Sequence, residues 1–337
     1  MPAPRAESAP DFPGVQLHIV TGKGGTGKTT VAAALALALA ARGKSVLLCE
    51  VEGRQGIAQL FDVPPLPYEE RMIARAEQHG SGDVYALAID PESALLEYLD
   101  MYYRLGRAGK ALDRFGVVEF ATTIAPGVRD VLLTGKVYEA ANRNRRNKGA
   151  REYDAIVLDA PPTGRISQFL NVNTELAGLA KVGPIKSQAD VVMKLLRSSR
   201  TAIHLVTVLE EMPVQETGDG ITELRGAKLP VGGVIVNMVR PQDLDAGERA
   251  GLIDGTVDRE GLVASLEKAG ISADDELVDG LLEEGHDHAE RRQLEDTQRA
   301  LVEQLGVPTY ELPLMPGGVD LAGLYELAEM LREEGLG

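Results

Sequence analysis

The ten residues Thr21–Thr30, Thr-Gly-Lys-Gly-Gly-Thr-Gly-Lys-Thr-Thr, constrain the fold of this chain more than any other stretch. They satisfy the spacing G-x-x-x-x-G-K-[ST], with Gly22, Gly27, Lys28 and Thr29 at its fixed positions. An apolar run, Val15–Val20, precedes them and reads as a buried strand. An Ala/Leu-rich run, Val31–Ala41, follows and reads as a helix. Strand, glycine-rich turn and helix in that order wrap successive backbone N–H groups around one point. Glycines at 22, 24, 25 and 27 leave no Cβ in the way of that turn. The helix opens where the loop ends, so its unpaired N–H groups and its dipole face the same point. A phosphate fits there, held by the loop from Gly22 through Gly24, Gly25, Thr26 and Gly27 to Lys28, Thr29 and Thr30. Lys28 would reach the β/γ-phosphates of a nucleotide, and the Thr29 hydroxyl would ligate Mg²⁺.

Such a loop belongs to an α/β sheet, and the rest of the chain agrees. Apolar residues make up 44% of the 337 but few are aromatic, which suits a core of Ala, Val, Leu and Ile between a sheet and its covering helices. Strands are expected at Ser45–Val51, Val84–Ile89, Tyr153–Asp159, Ala202–Val208, Val231–Val236 and Thr309–Leu312. Helices are expected at Lys28–Arg42, Val214–Leu224, Arg291–Leu305 and Leu321–Leu331. The alternation predicts a doubly wound, mostly parallel sheet. Residues 1–14 are Pro/Ala-rich at their start, without an apolar leader, and read as a disordered tail. Residues 15–337 read as one P-loop domain. It carries a helical subdomain at about 92–150 and 166–199 and an acidic Gly/Asp-rich insertion at about 241–285. The helical segment is either packing for the core or a surface for a protein client. Its end, Arg143–Lys148, is a basic run that reads as a solvated loop or as a contact for an acidic partner.

Charge and cysteine content exclude several functions. With 35 basic against 51 acidic residues the net charge is −16, which argues against general nucleic-acid binding and against an anionic membrane surface. No run is apolar and long enough for direct membrane insertion. The one cysteine, Cys49, lies in an apolar strand and reads as packing in a reducing, cytoplasmic compartment. Asp159 ends an apolar strand and is followed by Ala160-Pro161-Pro162-Thr163-Gly164-Arg165. A carboxylate at the C-terminal end of a parallel strand beside a P-loop is placed to hold a Mg²⁺ water.

Lys23 narrows the reading. Its place in Gly-Lys-Gly-Gly-Thr-Gly-Lys resembles the deviant P-loop of dimeric ATPases, among them the ArsA-type ATPases, the tail-anchored-protein targeting ATPase, the partition and division-site ATPases and nitrogenase iron protein. By that resemblance Lys23 reaches across a dimer interface to the partner's nucleotide; otherwise it is a solvated loop lysine. A cation supplied in trans is worth roughly 10³–10⁵ in rate. Further anchors are similar to the ArsA-type family in particular, and to its single-domain actinobacterial members. They are Glu52-Gly53-Arg54-Gln55 for Asp-Pro-Ala-His, Asp159–Arg165 for Asp-Thr-Ala-Pro-Thr-Gly-His, and Pro126–Asp130 for Pro-Gly-Ile-Asp-Glu. Glu216-Thr217, Val236-Asn237 and Leu312-Pro313-Leu314-Met315-Pro316 complete the set.

The resemblance implies an ATP- and Mg²⁺-dependent ATPase that couples its nucleotide state to a client. Lys23, Lys28, Glu52 and Asp159 would do the chemistry, Thr29 and Asp159 would hold the metal, and Asn237 and the backbone at Pro313 would border adenine. Glu52 stands where the family keeps the aspartate that positions the attacking water. It is one methylene longer, and a displacement of about 1 Å can cost about a hundredfold in rate. Slow or partner-dependent hydrolysis is therefore expected, as a homodimer or as a low-activity subunit of a heterodimer with a paralogous ATPase. Glu52 can also be read as a solvated strand-end carboxylate. The family's arsenite thiolates, zinc Cys-x-x-Cys and cluster cysteines have no counterpart in a chain with one cysteine. Tail-anchored-protein targeting, whose groove is apolar and Met-rich in the family, is the remaining alternative.

Overall fold

The computed structural model describes residues 10–75, 82–103, 127–143, 150–179 and 184–337. Eight strands form one sheet in the order β3-β4-β2-β5-β1-β6-β7-β8. They are β1 Leu17–Gly22, β2 Val46–Glu50, β3 Arg71–Arg75, β4 Asp83–Ala88, β5 Ala155–Asp159, β6 Thr201–Thr207, β7 Val231–Val239 and β8 Thr309–Pro313. All neighbours pair in parallel except β3, which runs antiparallel on β4 at one edge. The sequence reading did not include β3. Its residues, Arg-Met-Ile-Ala-Arg, are mostly exposed, and charged ends on an edge strand discourage pairing with another chain. Such a strand carries little apolar pattern to read.

Successive residues of the central strands serve opposite faces. Leu17 and Ile19, Leu47 and Cys49, and Ile156 and Leu158 belong to one core cluster. Val20, Val46 and Leu48, and Ala155 and Val157 belong to the other. Burial on both faces is why these strands read as continuous apolar runs rather than as alternating ones. The second cluster is built around helix α1 (Lys28–Ala41), whose residues Val31–Ala40 are all buried. It lies between the sheet and the C-terminal helix α11 (Leu321–Glu333), which is buried along one face only. Cys49 is fully buried in the first cluster, and burial pushes its thiol up to about 12.

Between these lie the short α2 (Gly56–Leu60), α3 (Pro91–Tyr103), α4 (Val128–Ala141), α5 (Thr163–Leu179), α6 (Pro184–Leu196) and α7 (Glu211–Gly226). Helices α4, α5 and α6 pack on one another and supply Leu133, Val137, Ile166, Phe169 and Val192 to the first cluster. The expected helical segment therefore contributes to the main core where it is described; residues 104–126 and 144–149 lie outside the described residues. Arg143, read as part of a solvated basic run, is instead nearly buried and paired with Glu70 and with Glu139 at 2.7 Å.

The acidic region folds as α8 (Ala246–Ile253), α9 (Arg259–Lys268) and the first turns of α10 (Asp275–Glu303), a single helix that continues through Arg291. Aspartates cap each helix: Asp245, Asp258 and Asp274 accept from the backbone N–H three residues on. Buried Arg292 pairs with Glu295, which also takes Arg240 from the end of β7. This network ties α10 to the sheet. Within the stretch read as a tail, Asp11 N–H donates to Gly335 O at 2.9 Å and Phe12 meets the His204 ring edge-on at 5.2 Å. Among the described residues no helix is long and apolar enough to cross a membrane.

Candidate nucleotide-binding site

The sheet order places β1 between β5 and β6, so the chain crosses to opposite sides of β1. Ligands of open α/β sheets sit at such a point, beyond the C-terminal strand ends. The Thr21–Thr30 loop leaves β1 there. At Gly22 a Cβ would lie 2.2 Å from Val206 O, so only glycine lets the loop pass this close to β6. Gly27 takes φ +85°, and a Cβ there would lie 2.3 Å from Asn237 Nδ2. Thr26 Oγ1 donates to Lys23 O at 2.9 Å and closes the loop on itself. Gly24 and Gly25 are exposed at its crest, Lys28 is buried, and Thr29 and Thr30 are half-buried at the helix start. No side chain caps α1 and no acidic residue lies in its first turn. Its N–H groups and dipole are thus left for an anion.

Thr29 Oγ1 donates to Asp159 Oδ2 at 2.7 Å, joining the helix start to the end of β5. Asp159 is 8% exposed, and its other oxygen, Oδ1, has no hydrogen-bond partner. Burial raises its pKa to about 6, against the Thr29 hydrogen bond and the Lys28 charge, with Glu50 and Glu52 adding repulsion. A buried carboxylate with one unmet oxygen, a hydroxyl beside it and like charge nearby is a donor set of the kind Mg²⁺ takes: hard oxygens and negative charge. The residues present fit the metal implied by the sequence.

Asn237 comes from the far side. Its Nδ2 donates to Thr26 O at 2.9 Å, so part of the amide braces the loop. The following residue, Met238, holds a left-handed backbone (φ 59°), rare for a non-glycine residue, and the β7–β8 register shifts between Val236 and Val239. The kink lies where the strand presents Asn237 to the loop. Pro313 ends β8 opposite Val239, and Leu314 N–H donates to Val239 O at 2.8 Å. Both predicted base-bordering positions therefore lie on adjacent strands, with Asn237 in direct contact with the loop.

Two expected residues have partners that sequence reasoning missed. Lys23 Nζ lies 2.7 Å from Glu216 Oε1 on α7. Glu52 is only loosely paired, with Arg54 Nε at 3.8 Å. Three further residues join the site. Glu50, the last residue of β2, is 2% exposed and pairs in register with Asp159. Arg129, at the start of α4, donates to Val51 O at 3.4 Å. Arg165 faces Asp130 of α4, whose pKa burial raises while the Arg165 and Arg129 charges oppose the rise. An acidic residue closing an apolar strand was a readable sign at Glu50, as it was at Asp159. Arg129 and Glu216 lie in the anchor segments Pro126–Asp130 and Glu216-Thr217, but their contacts with Val51 O and Lys23 depend on tertiary approach. Thr21 Oγ1 also donates to Pro161 O at 2.7 Å, fastening the loop after Asp159 to the end of β1.

Residues 15–199 match the family model of the anion-transporting ATPases. This chain belongs to that family. It is similar to ATPase BagA of Mycobacterium tuberculosis, at 56% identity over 96% of this chain and 94% of that protein. It is also similar, at 26% identity, to ATPase GET3 of Kluyveromyces lactis, over 68% of this chain and 73% of that one. The sheet with its P-loop is the anion-transporting ATPase fold, and the family is one of nucleotide-binding ATPases.

Proposed function

We propose that this chain binds MgATP at the loop Gly22–Thr30 and hydrolyses it as a dimeric switch that couples its nucleotide state to a partner or client. The observation that carries this reading is the contact of Thr29 with Asp159 beside an unmet carboxylate oxygen, at the mouth of an uncapped helix. The names of the relatives, both ATPases, agree with it. Loop N–H groups and Lys28 bind the triphosphate, and Thr29 and Asp159 hold the metal. Mg²⁺ supplies charge to neutralise the β- and γ-phosphate oxygens. Glu52 orients the attacking water, and Asn237 with the Pro313 backbone borders the base. Lys23 leaves Glu216 and faces the nucleotide of a second subunit.

Lys23→Ala tests the reading directly. ATP affinity should stay within a few-fold while turnover falls by roughly 10³ or more. Unchanged turnover removes the trans lysine from the mechanism. A second reading, a low-activity subunit paired with a paralogous ATPase, is favoured by one observation, the longer Glu52 side chain lying toward Arg54. Full activity from a pure homodimer excludes it.

A further inference from the structure

Glu50 is the most tightly buried carboxylate near the loop, and the mechanism above leaves it without a task. It closes β2, and its register partner on β5 is Asp159, so the two side chains project to the same face of the sheet. Neighbouring strands lie about 4.8 Å apart. One oxygen, Oε2, accepts from Ile57 N–H at 3.3 Å at the start of α2. The other, Oε1, is buried and has no partner. Asp159 Oδ1 is in the same condition. Two unmet carboxylate oxygens on paired strand ends, with the Thr29 hydroxyl bonded to the other oxygen of Asp159, are costly to keep without a cation. Gly56 brings the start of α2 against Thr29: a Cβ there would lie 3.1 Å from Thr29 Cγ2, so β2, α2 and the loop converge on one spot.

We propose that Glu50 is a second carboxylate of the divalent-cation site, acting with Asp159 and Thr29 to hold hydrated Mg²⁺ against the bound nucleotide. The inference rests on the nucleotide reading above. It makes Glu50 a positioning residue, acting through the metal, and separates it from Glu52. Carboxylates that fix a metal's ligands from outside typically account for 10–100-fold in metal affinity.

The test uses the full chain, ADP, and Mn²⁺ as a spectroscopic probe for the metal. Glu50→Gln keeps an acceptor for Ile57 N–H and removes the charge. It should bind ADP without metal as wild type does, and bind Mn²⁺ in the ADP complex 10–100-fold more weakly. Its metal-free melting temperature should rise, because a buried like charge beside Asp159 has gone. Glu50→Asp, which keeps the charge but shortens its reach, should give intermediate Mn²⁺ affinity. A merely structural Glu50 would lower the melting temperature and leave Mn²⁺ affinity alone. Mn²⁺ affinity within twofold of wild type in both variants, with ADP bound, overturns the inference and leaves the nucleotide reading standing. Failure of the wild-type chain to bind ADP overturns both.

Discussion

Lys23 is held by a contact that is easily given up. Its partner Glu216 and its own side chain are each about one-third exposed (36% and 30%), and ion pairs of that kind contribute roughly 0.2–1 kcal/mol. In the proposed dimer, a triphosphate offered by the partner can replace it. Glu216→Gln should therefore leave the fold unaffected, within about 0.5 kcal/mol by denaturant titration. It should also lower the ATP concentration needed for half-maximal turnover, and a higher requirement would mean that Glu216 assists Lys23. At the same scale, His204 Nδ1 accepts from Gly233 N–H at 3.2 Å, which leaves its Nε2 proton to donate to His18 at 3.1 Å. Burial lowers both pKa values, that of His204 to about 4, with His18 further opposed by the charges of His204 and Lys44. Both rings are neutral in the folded chain while the unfolded chain protonates near 6.5. Their stabilisation is therefore complete above about pH 6.5 and is lost as pH falls toward 4, by about 3 kcal/mol for His204 alone. Melting temperature should fall through that window, and a His18→Leu/His204→Leu variant should show a smaller fall. An equal fall in both would assign acid sensitivity to the carboxylates.

The elements that could be read from sequence are those with strong periodicity or a fixed spacing. The loop, α1, and strands β1, β2, β4, β5, β6, β7 and β8 all lie where the apolar runs predict them. Edge strand β3 was illegible because its exposed residues carry no face to bury. The acidic stretch reads as a surface insertion of loops and helices, but its sparse apolar residues gave no sign that its last helix continues into the next segment: α10 runs unbroken for 29 residues, Asp275–Glu303, with Arg292, Glu295 and Arg240 tying it to the sheet. In the site, Gly22–Thr30, Asp159 and the acidic end of β2 at Glu50 were legible from type and spacing, whereas the contacts of Arg129 with Val51 and of Glu216 with Lys23 depend on how helices α4 and α7 approach the sheet and the loop. Helix α1 is the element on which the site depends, since it carries Lys28 and Thr29 and is buried between sheet and α11. Leu35 is fully buried in that layer. Leu35→Ala should cost about 2–5 kcal/mol in denaturant unfolding. A cost below about 1 kcal/mol would mean that the α1 layer is loosely packed.

For the whole molecule, the net charge of −16 works against association, so the proposed dimer is expected to form only when nucleotide and metal bring two copies face to face. The Thr29–Asp159 contact and the unmet oxygens beside it support the proposed cation site, and the partly exposed Lys23–Glu216 pair supports the proposed change of partner. The central claim is that ATP turnover belongs to this loop and to two chains acting together. The most direct test is the Mg²⁺-dependent ATPase activity per mole of purified chain, measured across protein concentration, with Lys28→Ala as the control. Specific activity should rise with concentration to a plateau and fall to background in Lys28→Ala. Specific activity independent of concentration, or activity surviving in Lys28→Ala, would contradict it.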